Sequence, residues 1–206
     1  MDNQGALVVV SGFSGAGKGT LMKALLAKYK NYALSISATT RSPRTGEEDG
    51  REYFFKTREE FEHMIENDEL VEYAQYVGNY YGTPKEYVCS NLEAGRDVLL
   101  EIEIQGALKI KERFPEAVLL FVMPPSAMEL KNRLIGRGTE DMATIEARLK
   151  RAGEEAEGIE QYDYILINDE IEACVDRMHS LIQAVHARVG NHLDFIKNMK
   201  EEMRQF

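Results

Sequence analysis

The chain has 206 residues, of which 44% are hydrophobic, and a formal net charge of −10. That length suits one compact soluble domain, and no apolar run approaches the roughly 18 residues of a membrane span. The acidic balance opposes loose attraction to nucleic acid or to a membrane surface, and only two cysteines, Cys89 and Cys174, are present, far apart and in no metal-ligand spacing.

A reducing, cytoplasmic setting is therefore expected, and MDNQGALVVV lacks the basic flank and cleavage site of a signal peptide. From Ala6 to Ser11 the chain reads as a β-branched strand of the kind buried on both faces. GFSGAGKGT, Gly12 to Thr20, follows it directly, with helix-forming residues from Leu21 to Tyr29. Residues without a Cβ let several backbone N–H groups converge on one anion, and Gly12, Gly15 and Gly17 supply that freedom. A helix beginning near Lys18 points its positive end at the same spot, and the Lys18 ammonium can reach the outer phosphates of a nucleoside triphosphate. The general motif places Ser or Thr directly after the lysine, where its hydroxyl touches magnesium. Here Gly19 intervenes before Thr20, which leaves a metal-ligand role for Thr20 open. G-K-G-T occurs in several nucleoside monophosphate kinases and favours that branch over switches or motors.

The texture changes after residue 36. Arg41, Arg44 and Arg51 cluster in a polar, turn-rich stretch, followed by short aromatic segments at Tyr53 to Phe55 and Tyr73 to Tyr81. We expect a small inserted subdomain over 37–83, its one clear helix starting at the capping-box pair Thr57 and Glu60 and ending near Asn67. Apolar runs at Asp97 to Ile102, Ala117 to Met123 and Tyr164 to Ile167 alternate with helical stretches, the pattern of an α/β fold with a parallel sheet flanked by helices. The run Val98 to Glu103 reads as a strand ending in alternate carboxylates, Glu101 and Glu103. Ser126 and Glu129 begin a helix through Leu134, interrupted by Gly136 and Gly138 and resumed from Asp141 to about Gly158. This segment, 126–158, is expected to form a lid, and it carries a second basic cluster of Arg133, Arg137, Arg148, Lys150 and Arg151. The core of the single domain is assigned to 1–36, 84–125 and 159–206. From Glu170 to Val189 and on to Phe206 the composition is that of amphipathic helix that packs on the body or on another subunit.

SATTRSPRTGEEDGREY from Ser37 and EYAQYVGNYYGT from Glu72, together with the glycine loop, closely resemble the guanylate kinases over approximately residues 5 to 189. The segment TTRSPRTGE is the most specific part. The resemblance implies a P-loop NTPase core with an inserted α+β GMP-binding subdomain and a helical lid, and transfer of the γ-phosphoryl of ATP to GMP with Mg2+. ATP would be held by Gly12, Phe13, Ser14, Gly15, Ala16, Gly17, Lys18, Gly19 and Thr20, with Arg133, Arg137 and Arg148 closing over its phosphates and Asn168 near the adenine. Arg41 and Arg44 match the pair that binds the GMP phosphate, helped by the hydroxyls of Ser37, Tyr53 and Tyr81, and forked guanidinium donors suit phosphate oxygens. Guanine offers N1–H and a 2-amino group as donors and O6 as an acceptor; the resemblance puts the carboxylate of Glu72 and the hydroxyl of Thr83 opposite them. Where the family usually shows Asp-x-Asp-x-Gln-Gly, this chain has Glu101 near magnesium through water and Glu103 toward the guanine.

The acceptor would be a phosphate oxygen already ionised at neutral pH, so no general base is required. None of His63, His179, His186 and His192 falls in a motif, and each is read as a surface or packing residue. Catalysis would come from positioning and from the positive charge of Lys18, Arg44, Arg133, Arg137 and Arg148. Three rivals stand beside this reading: a kinase for another monophosphate or phosphorylated sugar, a peptide-binding scaffolding module of the same family, and a slow regulatory nucleotide binder. Monomer and homo-oligomer both stay open.

Overall fold

The computed structural model describes residues 4–76, 78–136, 138 and 141–206. Its centre is a five-stranded parallel sheet in the order β2-β7-β1-β8-β9, built from β1 (Leu7–Gly12), β2 (Tyr32–Leu34), β7 (Asp97–Glu101), β8 (Val118–Met123) and β9 (Tyr164–Ile167). β1 pairs with β7 on one side, Val8 opposite Leu99, and with β8 on the other, Val8 opposite Val118. Both faces are covered, as the unbroken apolar run of β1 requires. Val8 and Val10 pack with α1 (Lys18–Lys28) and α7 (Ile171–His186), whereas Leu7 and Val9 pack with α3 (Lys85–Glu93) and α4 (Ile104–Arg113). Because the strand order turns back at β1, the loop leaving it opens into the crevice beyond the carboxyl ends of the strands.

Between β2 and α3 the chain builds a second, four-stranded sheet in the order β4-β3-β6-β5, from β3 (Ala38–Thr39), β4 (Phe54–Phe55), β5 (Leu70–Tyr76) and β6 (Asn79–Pro84). Its separate core gathers Ala38, Phe61 and Leu70 beneath α2 (Arg58–Glu66). That helix is capped as its sequence predicts: Glu60 N–H donates to Thr57 Oγ1 at 3.1 Å and Thr57 N–H donates to Glu60 Oε2 at 2.7 Å. The Thr57 N–H foremost, and then the Thr57 side chain, hold the Glu60 carboxyl below its ordinary pKa. α5 (Ala127–Gly136) and α6 (Met142–Ala156) follow β8; Ser126 Oγ and the Asp141 carboxylate each accept an N–H of the following first turn, at 3.1 and 2.8 Å.

α1 begins at Lys18, where the sequence reading put the helix start, since the chain turns helical directly after Gly17. Three details differ from that reading. β2 carries no strong strand signature and exists through its pairing with β7, Tyr32 opposite Asp97. β7 ends at Glu101, and Glu103 caps α4, so the two carboxylates do not share a strand face. α8 (Leu193–Met203) buries none of its residues, leaving Leu193, Phe195, Met199 and Met203 exposed, so of the two expected placements, on the body or on another subunit, the first is not seen.

At the amino end of the sheet, Asp97 is buried and accepts from Ala6 N–H at 2.9 Å, Asn31 Nδ2 at 3.2 Å and Gln183 Nε2 at 3.3 Å, with His186 Nε2 at 2.8 Å. One carboxylate thus ties β1, β7 and α7 together. Asp97→Ala leaves those part-buried donors unmatched and is expected to cost about 1–3 kcal/mol, read as a lowered urea midpoint at unchanged slope.

Candidate active site

The glycine loop is built by close approach. A Cβ at Gly12 would stand 2.1 Å from the carbonyl oxygen of Val122 in β8, and at Gly17, whose φ is +90°, it would stand 2.6 Å from Asn168 Nδ2. Gly19 is different: nothing lies within 4 Å of where its Cβ would be, so packing does not demand glycine there. Thr20 follows as an exposed residue of α1. Lys18 Nζ donates to Gly12 O at 2.6 Å and to Phe13 O at 3.4 Å, which draws the ammonium back across the loop mouth.

Two of the residues expected on ATP are set against the loop backbone. Asn168 is buried and donates through Nδ2 to Ala16 O at 2.8 Å. Arg133 donates to the same carbonyl at 3.3 Å, to Asn168 O at 2.8 Å and to Glu129 Oε1 at 2.8 Å. Together they brace the turn at Ala16–Gly17. Arg148 of α6 reaches the loop from the other side, donating to Ser14 Oγ at 2.6 Å. Arg137 lies outside the described residues.

A cleft of about 750 Å³ opens in front of the loop. Gly12, Ser14, Lys18 and Arg148 line it, as do Glu101 and Glu103, together with Ser37, Tyr53 and Thr83 from the segment that builds the second sheet. Behind Tyr53, Arg41 lies 5.3 Å from that ring's centroid and 5.9 Å from that of Phe55, while Tyr53 and Tyr81 pack edge-on at 6.1 Å. Arg41 Nη2 donates to both oxygens of Glu47 at 3.0 Å, and Arg44 N–H donates to Glu47 Oε2 at 2.7 Å. The Arg44 backbone donor, then Arg41, hold the Glu47 carboxyl below its ordinary pKa. Glu47 therefore holds the Arg41 guanidinium and the Arg44 backbone, a role the sequence reading missed although it lies within TTRSPRTGE. Among the described residues the Arg44 guanidinium makes no hydrogen bond, and the residue is exposed.

Glu72 of β5 and Thr83 of β6 meet across the hairpin, where Thr83 Oγ1 donates to Glu72 Oε1 at 2.8 Å. Burial raises the Glu72 pKa above its ordinary value, only partly offset by the Thr83 bond. Glu101 stands exposed at the end of β7. Glu103 accepts from Arg151 Nη2 at 2.9 Å, a partner no motif announced.

A glycine loop with its lysine at the carboxyl end of a parallel sheet, opening on a cleft shared with an inserted second sheet, is the architecture of the phosphate-loop kinase class. The guanylate kinase family model matches residues 4–185. Guanylate kinase of Caldanaerobacter subterraneus subsp. tengcongensis is 53% identical over 97% of this chain and 97% of its own, and that of Halalkalibacterium halodurans is 54% identical over 90% and 91%. The crystal structure of guanylate kinase from Anaplasma phagocytophilum superposes with a TM-score of 0.70 at 36% identity, covering 91% of this chain and 89% of that one. The chain belongs to the guanylate kinase family.

Proposed function

We propose that the chain transfers the γ-phosphoryl of ATP to GMP, giving ADP and GDP, by direct in-line displacement. The observation that carries this reading is the Glu72–Thr83 pair. A half-buried carboxylate and a hydroxyl 2.8 Å apart, with Thr83 lining the same cleft as Lys18, offer the acceptor and donor that a guanine edge needs. Arg41, beside the Tyr53 ring that lines the cleft, and Arg44 supply the charge for a monophosphate. The acceptor oxygen is already ionised, so no side chain has to remove a proton. The histidines fit that economy: His179 stacks on Tyr29 at 3.7 Å, His186 faces Asp97 and His63 bonds Asn67.

Lys18 and Arg148, which line the cleft, would neutralise charge as it spreads over the transferring group, with Arg44 acting on the acceptor and Arg133, bonded to Ala16 O, keeping the loop in shape. Magnesium fits the donor set, because the exposed Glu101 carboxylate lines the cleft together with Lys18 and Ser14, and hard cations take oxygen ligands. Glu101 would hold it through water; bound with ATP, it would neutralise the outer phosphate oxygens. dGMP, which keeps the same base and phosphate, is a second acceptor. The activity belongs to cytoplasmic purine nucleotide metabolism, as recycling of GMP; among the described residues no helix is long and apolar enough to cross a membrane.

A coupled assay with ATP against GMP, dGMP, AMP, UMP and CMP tests the reading. Turnover is expected with GMP and dGMP, and kcat/KM lower by about 10⁴-fold for the others, since a site built for guanine's donors is left unpaired by them. Comparable rates with AMP, or no transfer to GMP, would overturn it.

A further inference from the structure

The geometry points to Arg151 as a positioning residue that couples the two substrate sites: it ties the lid helix to Glu103, so that a guanine nucleotide in the acceptor site steadies the lid over the donor phosphates. This inference rests on the reading of Glu103 as a residue of the GMP site.

Arg148, Arg151 and Glu155 are spaced three and four apart on α6, so they project from one face of that helix, and all three line the cleft. Arg148 bonds Ser14 in the phosphate loop at 2.6 Å. Arg151 Nη2 bonds Glu103 Oε2 at 2.9 Å, while its Nε is held by Glu155 Oε1 at 3.0 Å. One helical turn therefore spans from the triphosphate side to the acceptor side. The Glu155 bond fixes the Arg151 side chain along the helix, so its other branch is already aimed at Glu103.

A carboxylate has room for both partners. Oε2 of Glu103 takes Arg151, and among the described residues Oε1 accepts no hydrogen bond, which leaves it for the amino group of a base. As it stands, the bridge lies in water, with Arg151 57% and Glu103 79% exposed, and a pair so exposed contributes little. A nucleobase seated against Glu103 takes that water away. The same two charges then attract across a lower dielectric and hold α6, with Arg148, more firmly against the loop. By linkage the effect is mutual: whatever GMP does for the donor nucleotide, the donor nucleotide does for GMP.

The test is the affinity of ADP measured calorimetrically with and without saturating GMP, a pair between which no phosphoryl transfer occurs. In the unaltered protein GMP is expected to tighten ADP binding by about tenfold. In Arg151→Gln and in Glu103→Gln that factor should fall to below about twofold, with ADP affinity alone unchanged, and the double variant should be no worse than either single one. Arg151→Lys, which keeps a charge but loses the fork, should recover part of the coupling. A GMP effect that survives Arg151→Gln, effects of the two single changes that add, or no GMP effect in the unaltered protein would each overturn the inference. The substrate reading fails separately, by an absence of phosphoryl transfer from ATP to GMP in the unaltered enzyme. Because Arg151 is exposed, its variants should fold normally, and Arg151→Lys keeps the inference testable should Arg151→Gln not.

Discussion

Lys18→Met should lower kcat for phosphoryl transfer by at least about 10³-fold while the chain stays folded. A single uncharged donor aimed at developing charge contributes about 10²–10³ in rate, and an ammonium set among converging backbone N–H groups contributes more. Methionine keeps much of the stem's bulk, so the first turn of α1 has no reason to unwind. What is lost is the charge and the two bonds to Gly12 O and Phe13 O, at 2.6 and 3.4 Å. Those bonds are only partly buried, and their loss should cost no more than about 2 kcal/mol in a urea titration. Lys18→Arg should fail as well, because a planar fork does not fit where a compact ammonium approaches a carbonyl at 2.6 Å. Single-turnover assays at saturating ATP and GMP separate chemistry from binding. A rate within tenfold of the unaltered enzyme would remove Lys18 from the catalytic group.

What could be read before any coordinates were at hand follows the range of the interactions involved. The α/β class with a parallel sheet was legible because β1, the glycines and Lys18 sit side by side in sequence, and local order carries the physics of an anion-binding loop. The Thr57–Glu60 box was legible for the same reason, since both of its bonds close within four residues. β2 was not, because three residues become a strand only by pairing with β7 far along the chain. The carboxylates at 101 and 103 misled through their alternation. Ser11 Oγ donates to Ile102 O at 2.6 Å, and the chain turns into α4 there instead of running on as a strand. Arg133 and Asn168 converge on one carbonyl, Ala16 O, although 117 and 152 residues separate each from it; nothing in their own segments names that partner. Glu47 is the opposite case. An acid three and six residues from Arg44 and Arg41 was visible as a nearby charge, but only the fold shows it accepting from both.

Glu72→Gln should lower kcat/KM for GMP by about 10²- to 10³-fold and leave the KM for ATP within about twofold. An ionised carboxylate accepts from guanine's N1–H and 2-amino group together; an amide turns a donor toward one of them, and each charge-assisted bond lost is worth about 1.5–3 kcal/mol. IMP, which lacks the 2-amino group, makes the sharper control, because the ratio of GMP to IMP affinity cancels everything the two phosphates share. That ratio should collapse in the variant, and an unchanged ratio would remove Glu72 from base recognition. It should also depend on pH. Burial holds the Glu72 pKa above its ordinary value, so as pH falls through that raised pKa the carboxyl takes up a proton and can no longer accept from both donors. GMP preference over IMP should therefore decline toward acid in the unaltered protein and stay flat in Glu72→Gln. Stability should move the other way. With the folded pKa raised, the carboxyl's favourable contribution is fully present below the unfolded pKa and is lost as pH rises through the folded one. At neutral pH the chain keeps a charge in a half-buried place for the sake of its ligand. Glutamine, neutral and of the same shape, keeps the Thr83 bond without that cost and should raise the urea midpoint at pH 7, an increase that shrinks as the unaltered Glu72 becomes protonated toward acid.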